Sequence, residues 1–181
     1  MEDIYFSKIS DDCLIIRELN PQDSDDVFEL LGNENVCLYL GIYPLKNHEE
    51  SLAFINKAIS NYYNNDIFYL GIELKNKKKI IGYIGLSKYD LSENTCQVVY
   101  ALNEKYWHQG IMPKALRLFV DYLIEIQKKE LIIATHIDVN YNSGQVMKKA
   151  GFTRDYNYDQ VMVIKGKNRK LIGYSIKKNK E

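Results

Sequence analysis

Several things are scarce in this 181-residue chain. It has three prolines and ten glycines, too few for a collagen-like or low-complexity architecture. Lys plus Arg and Asp plus Glu each number 24, so the basic excess of a dedicated nucleic-acid binder is missing. No apolar run approaches the ~20 residues that span a bilayer. Met1–Lys8 carries Glu2 and Asp3 and lacks the apolar stretch of a signal peptide. Cys13, Cys37 and Cys96 form no CxxC and no Cys/His ligand spacing. They predict reduced core thiols, no metal site and a cytoplasmic setting. His48, His108 and His136 share no spacing, so neither a metal centre nor a Ser-His-Asp triad is predicted. The phosphate loop GxxxxGK[ST] and the dinucleotide fingerprint GxGxxG are both absent.

What is present fits one folded domain spanning residues 1–181. Hydrophobic residues make up 46% and charged residues 27%, enough apolar material for a sizeable core. Charge is uneven. Residues 1–50 hold twelve acidic against three basic side chains, and residues 165–181 hold seven basic against one acidic. Such runs are either solvated surface or an acidic lobe that draws a cation and a basic lobe that meets an anion.

Hydrophobic periodicity orders the chain. Cys13–Glu18 predicts a first strand. Asn20-Pro21 opens a helix with apolar face Val27, Leu30 and Leu31, ended by Gly32. Residues 33–48 read as loop, and Asn47–Asn61 as a helix with Leu52, Ile55 and Ile59 on one face. Ile67–Leu74, Lys79–Ser87 and Gln97–Leu102 read as strands. Pro113–Lys128 is a long helix with Leu116, Phe119, Val120, Leu123 and Gln127 on one side. Leu131–Ile137 is a buried strand. Ser143–Ala150 is a short helix closed by Gly151. Gln160–Ile164 and Lys170–Ile176 are late strands around a turn at 165–168. The order predicts a mixed α/β sheet with helices on its faces.

Two segments carry chemistry. In Val98–Lys114 (VVYALNEKYWHQGIMPK) a strand ends, a glycine-bearing loop follows and a long helix begins. Backbone amides at a helix N-terminus beside glycine suit an anion, and His108 and Lys114 add positive charge. The same pattern also serves as a plain strand–helix connection. In Leu131–Phe152 (LIIATHIDVNYNSGQVMKKAGF) a buried strand runs through Asn-rich sequence into a helix ending in Gly-Phe.

Together, at this separation and order, the segments resemble the GNAT N-acetyltransferase superfamily over roughly Cys13 to Lys177. The phrases EKYWHQGIMPKAL and NxxSxxVxxKxGF are most similar to the branch of bacterial ribosomal-protein alanine acetyltransferases. The resemblance implies an acyl-CoA N-acyltransferase fold of class α/β (α+β). Its central sheet is mixed and mostly antiparallel, with about six to seven strands, about four helices and splayed central strands. It also implies acetyl-CoA as co-substrate and no metal. Acetyl-CoA wedges between the strands here read as Gln97–Leu102 and Leu131–Ile137, with backbone of Tyr100, Ala101 and Leu102 on the pantetheine arm. The pyrophosphate frame falls on Trp107, His108, Gln109, Gly110, Ile111 and Met112. Gly110 matches strictly, and Met112 stands where the family has a small residue, facing the phosphates on this alignment. Lys114 is a compensating point charge. Asn140 matches the Asn after the buried strand, and Ser143 the Ser of the last helix.

Mechanistic positions depart from the common pattern. The family's general-acid Tyr on the last helix is Met147 here. Ser143 is the substitute donor to the leaving sulfur, or a helix cap, or both. A common carboxylate on the strand is Gln97. The remaining base candidates are Asp90 and Glu93 before that strand, with Glu73 and Asp159 weaker, and water relayed through Tyr100 or Gln97. Tyr39 and Tyr43 border an acceptor pocket in the family. The implied function is acetyl transfer to a primary amine, either a protein N-terminus or a small molecule such as a polyamine or aminoglycoside. The alternative is a weakly catalytic acyl-CoA-binding or partner-binding module. Neither nucleic acid nor membrane is expected as partner, and the chain is expected as a monomer or homodimer.

Overall fold

The computed structural model describes residues 8–63, 68–90 and 94–178, with residues 88–90 as backbone alone. Nine strands form one sheet: β1 (Ile9–Ser10), β2 (Leu14–Arg17), β3 (Phe68–Leu74), β4 (Lys79–Asp90), β5 (Thr95–Leu102), β6 (Leu131–Ile137), β7 (Thr153–Arg154), β8 (Gln160–Ile164) and β9 (Lys167–Lys177). Their order is β1-β2-β3-β4-β5-β6-β9-β7, with β8 paired to β9. Only β5 and β6 run parallel; the other pairs are antiparallel. The mixed, mostly antiparallel sheet is as expected, with more strands. The two-residue strands β1 and β7 are too short to leave a period in the sequence.

Five helices cover the sheet: α1 (Ser24–Leu31), α2 (Glu34–Leu40), α3 (His48–Tyr63), α4 (Ile111–Glu125) and α5 (Tyr141–Lys149). Helices α1, α2 and α3 pack over Ile80, Tyr83 and Ala101. Helices α4 and α5 pack over the second apolar cluster, where Phe119, Ile81 and Ile84 are fully buried. Trp107 touches both clusters.

Three local readings change. The helix expected from Pro21 begins as one 3₁₀ turn, Pro21–Asp23, capped by Asn20, and becomes α-helical at Ser24. Residues 33–48 are not all loop. Asn33 accepts the Val36 amide at 3.1 Å, α2 follows, and Gly41 ends it at φ +73°. Helix α3 buries Ser51, Ile55, Ala58 and Tyr62, leaving Leu52 36% exposed. The small Ser51 lets α1 approach, with its Oγ 2.8 Å from that of Ser24. Of the cysteines, Cys37 and Cys96 are buried, and Cys13 is exposed beyond the core. No helix among the described residues is long and apolar enough to cross a membrane.

Much of the acidic N-terminal charge is spent internally. Arg17 meets Asp23 through both Nη atoms at 2.8 and 2.9 Å, and its Nε reaches Glu73 at 2.6 Å. Lys79 bridges Asp26 at 2.9 Å and Glu29 at 2.7 Å. Glu29 also accepts from Lys105 at 2.8 Å and Asn103 at 3.0 Å. These bonds join α1, β4 and the turn after β5.

Lys105, then Lys79, hold the Glu29 carboxyl down at about 2, against an ordinary 4.5. A depressed carboxylate stabilises the fold above its unfolded pKa and loses that contribution as pH falls towards the folded one. Glu29→Gln should therefore cost about 1 kcal/mol at pH 7. The gap to wild type should close between about pH 4.5 and 2. Urea unfolding across that range checks it; a gap constant with pH contradicts it.

Candidate active site

The site begins where two strands part. Strands β4 and β5 stay paired up to Gly82–Leu102. The parallel pairing of β5 with β6 stops at Val98–Ala134, yet β6 stays bonded to β9 up to Ile137–Leu171. Each strand is held on its outer side and released on the side facing the other. The space between them opens into a cleft of about 360 Å³, lined by Tyr100, Ala101 and Leu102 on one side and Asn140 and Ser143 on the other. Backbone groups that leave a ladder need another polar partner. An extended ligand with amide groups supplies one.

The N-terminus of α4 closes one end of the cleft. Gly110 precedes the helix at φ +74°, and no side chain caps that end. The first intrahelical bond joins the Lys114 amide to the Gly110 carbonyl at 3.4 Å. The amides of Ile111 and Met112 therefore lack intrahelical acceptors, and Pro113 has no N–H. A Cβ built on Gly110 would meet nothing within 4 Å. Left-handed backbone, open space and exposed amides fit the phosphates of a nucleotide. His108, also left-handed at φ +61°, lines the same space.

The cleft also holds a hydroxyl pair. Asn140 caps α5, its Oδ1 accepting the Ser143 amide at 3.2 Å. Ser143 is thus not the cap, and its side chain is released for other work. Its Oγ lies 2.9 Å from Tyr100 Oη, whose single proton can go either to that Oγ or to the Ser143 carbonyl 3.1 Å away. Burial raises the Tyr100 phenol above its ordinary value, and the Ser143 contact opposes this. Tyr100 therefore holds its proton at neutral pH. Gly144 lets α5 settle close to β6 and β9: a Cβ there would lie 2.8 Å from His136 Nε2 and 3.2 Å from Tyr174 Oη.

The other predicted residues divide clearly. Trp107 lines the cleft, donates its indole N–H to the Leu102 carbonyl at 2.8 Å and packs on Tyr39 at 5.9 Å between centroids. The Leu102 carbonyl is thus already engaged, leaving less for a pantetheine arm. Met112 lines the cleft, but the residue is 4% exposed and belongs to the core cluster. It shares the inward helix face with Leu116 and Phe119, so it does not crowd the anion site. Met147 is likewise buried at 1%. Lys114 is turned away from the cleft, its Nζ 2.8 Å from Asp11. Gln109 donates to the Lys105 carbonyl at 2.9 Å. Gln97 sits in the paired part of β5, its amide 3.4 Å from Thr135 Oγ1.

Among the base candidates, Glu73 is tied to Arg17 and Asp159 to Arg154 at 2.5 Å. The Asp90 side chain and Glu93 lie outside the described residues. No Asp or Glu lines the cleft among the described residues. Tyr43 is 76% exposed and apart from the cleft, whereas Tyr39, Val36 and Leu40 line it. Sequence reasoning missed the contribution of α2, although Asn33 and Gly41 mark its ends. It also missed Asn142, Gln145 and Lys149, which line the cleft from α5. Their i, i+3 and i+7 spacing on that helix was the available signal.

A family model described as an acetyltransferase (GNAT) domain matches residues 14–153. The uncharacterized N-acetyltransferase YoaA of Bacillus subtilis (strain 168) is 24% identical over 176 residues, covering 97% of this chain and 99% of its own. The [ribosomal protein uS5]-alanine N-acetyltransferase of Escherichia coli (strain K12) is 27% identical over 143 residues, covering 78% of this chain and 69% of its own. The crystal structure of a GNAT-family acetyltransferase from Bacillus anthracis superposes with a TM-score of 0.81 at 23% identity, covering 94% of this chain and 98% of that one.

Trp107 is the sole tryptophan, so its fluorescence reports on the cleft. Coenzyme A should change that emission saturably in the wild type. Gly110→Asp places a carboxylate beside the free amides of α4 and should weaken binding at least about tenfold, the worth of one charge-assisted hydrogen bond. Equal affinities for the two proteins would contradict the anion site.

Proposed function

The chain belongs to the GNAT acetyltransferase family, and on that premise we propose that it acetylates a polypeptide α-amine, with Ser143 assisting the leaving sulfur. Family membership makes it an acetyl-CoA-dependent N-acetyltransferase. The observation that carries the finer reading is the composition of the cleft: a Tyr–Ser hydroxyl pair at its reactive end and no carboxylate in its described lining. The Escherichia coli relative, named for an alanine of ribosomal protein uS5, supports a polypeptide acceptor.

Only a neutral amine attacks a thioester. With no carboxylate in the described lining to deprotonate an ammonium group, the enzyme depends on the fraction of acceptor already neutral. At pH 7.5 that fraction is roughly 200- to 300-fold larger for an α-amine than for a lysine-type amine, from their ordinary pKa values. The amine nitrogen adds to the acetyl carbonyl carbon, the new C–N bond forms and the C–S bond breaks. The surplus proton on nitrogen passes to water, and the departing thiolate takes one up. The Ser143 hydroxyl donates to the sulfur as negative charge gathers there. For this step Tyr100 turns its one proton onto the Ser143 Oγ, which leaves the Ser143 proton for the sulfur.

The test is steady-state kinetics on a peptide with a free N-terminus and on spermidine, from pH 6 to 9.5. The peptide should win, and kcat/KM should climb through the α-amine pKa of about 7.7–8.0 with no acidic limb near pH 6. On the same peptide, Ser143→Ala should lower kcat about 10- to 100-fold with little change in KM for acetyl-CoA. Spermidine favoured tenfold, or an acidic limb near pH 6, would reveal a carboxylate base and sink the α-amine reading. A kcat within twofold for Ser143→Ala would remove Ser143 from the chemistry.

A further inference from the structure

The cofactor cleft needs positive charge that its expected lysine does not supply. The α4 end offers the Ile111 and Met112 amides, and Pro113 contributes none. A coenzyme A molecule carries a diphosphate and a 3′-phosphate. Neutral amides alone, with that of Gly110 beside them, leave most of that charge unmatched. Lys114 is held by Asp11 and does not line the cleft, and Lys105 is held by Glu29. The lining has two side chains able to carry positive charge, His108 and Lys149. Of the two, the lysine is the point-charge donor that phosphates commonly meet.

We infer that Lys149 is the phosphate-binding side chain of the cleft, reaching from the last turn of α5 towards the anion site at the start of α4. This rests on the cofactor reading given above. Three observations carry it. Lys149 lines the cleft, whereas its neighbour Lys148, on the same last turn, does not. No ion pair among the described residues occupies Lys149, in contrast to Lys105 and Lys114. Ser143 and Lys149 stand six residues apart on one helix, about 9 Å along its axis at 1.5 Å per residue. Helix α5 thus presents a hydroxyl at the reacting end of the cleft and an ammonium group further along it. A lysine at a helix C-terminus also complements the helix dipole. That role asks nothing of the cofactor, so the two are separable by experiment.

The experiment compares wild type, Lys149→Met and Lys149→Arg. KM and kcat are measured with acetyl-CoA, and Kd for coenzyme A and 3′-dephospho-coenzyme A by Trp107 fluorescence. Lys149→Met should raise Kd for coenzyme A about tenfold or more, the worth of a charge-assisted hydrogen bond. The same rise should appear in KM rather than in kcat. Lys149→Arg should recover most of the affinity. A loss that persists with the dephospho form assigns Lys149 to the diphosphate; a loss that vanishes with it assigns the 3′-phosphate. Coenzyme A binding within twofold of wild type for Lys149→Met overturns the inference. So does a fall in kcat with KM unchanged, because Ser143 rides on the same helix and disturbance of α5 would show there. Failure of the wild type to bind millimolar coenzyme A would instead strike the cofactor reading itself.

Discussion

Everything in this site follows from the parting of β5 and β6 after Val98 and Ala134. A strand released on one edge would ordinarily fray or recruit a neighbour. Here each strand is anchored on its other edge, β5 by β4 and β6 by β9. The opening is therefore held by the sheet itself. The chain leaves β5 through Asn103 and Trp107 into α4, and leaves β6 through Asn140 into α5. Both helices consequently start beside the gap, one with bare amides and one with Ser143.

The walls are tied together by polar contacts behind the cleft. Glu104 accepts from Asn33 at 2.9 Å and Asn35 at 2.8 Å, fixing the start of α2 to the loop before α4. Glu29 binds the same loop to α1 and β4 through Asn103, Lys105 and Lys79. Trp107 completes the join by bonding β5 and packing on Tyr39 of α2. The loop before α4 and helix α2 are thus joined directly. Charges that read in the sequence as an acidic lobe do much of this internal work.

The fold was legible where hydrophobic period was strong. Leu131–Ile137 and Gln160–Ile164 appear with the predicted bounds, and α4 buries Leu116, Phe119, Val120 and Leu123. Short elements escaped. Helix α2 is seven residues long with Val36 and Cys37 as its buried residues, a signal too brief to outweigh the surrounding turn formers. At the site, the chain segments were legible and the side-chain directions were not. Met112, Lys114 and Lys149 show why. Each follows from the rotation of its helix against the sheet: Met112 packs in the core, Lys114 meets Asp11 and Lys149 lines the cleft. A motif fixes spacing along the chain, while tertiary packing selects which face looks inward. The release of Ser143 from capping likewise depended on α5 starting two residues earlier, with Asn140 as its cap.

The central claim is that the parted edge of β5 and the uncapped start of α4 form the cofactor seat. Amide hydrogen exchange with and without acetyl-CoA tests it most directly. Exchange should slow at Tyr100 and Leu102, whose amides face away from β4 by alternation from the Asn103 amide bonded to Ile81, and at Gly110, Ile111 and Met112, where no helix bond protects the amide. Residues 82–86 of β4, paired on both edges, should change little by comparison. Protection confined to other elements, or spread evenly over the sheet, would contradict the claim.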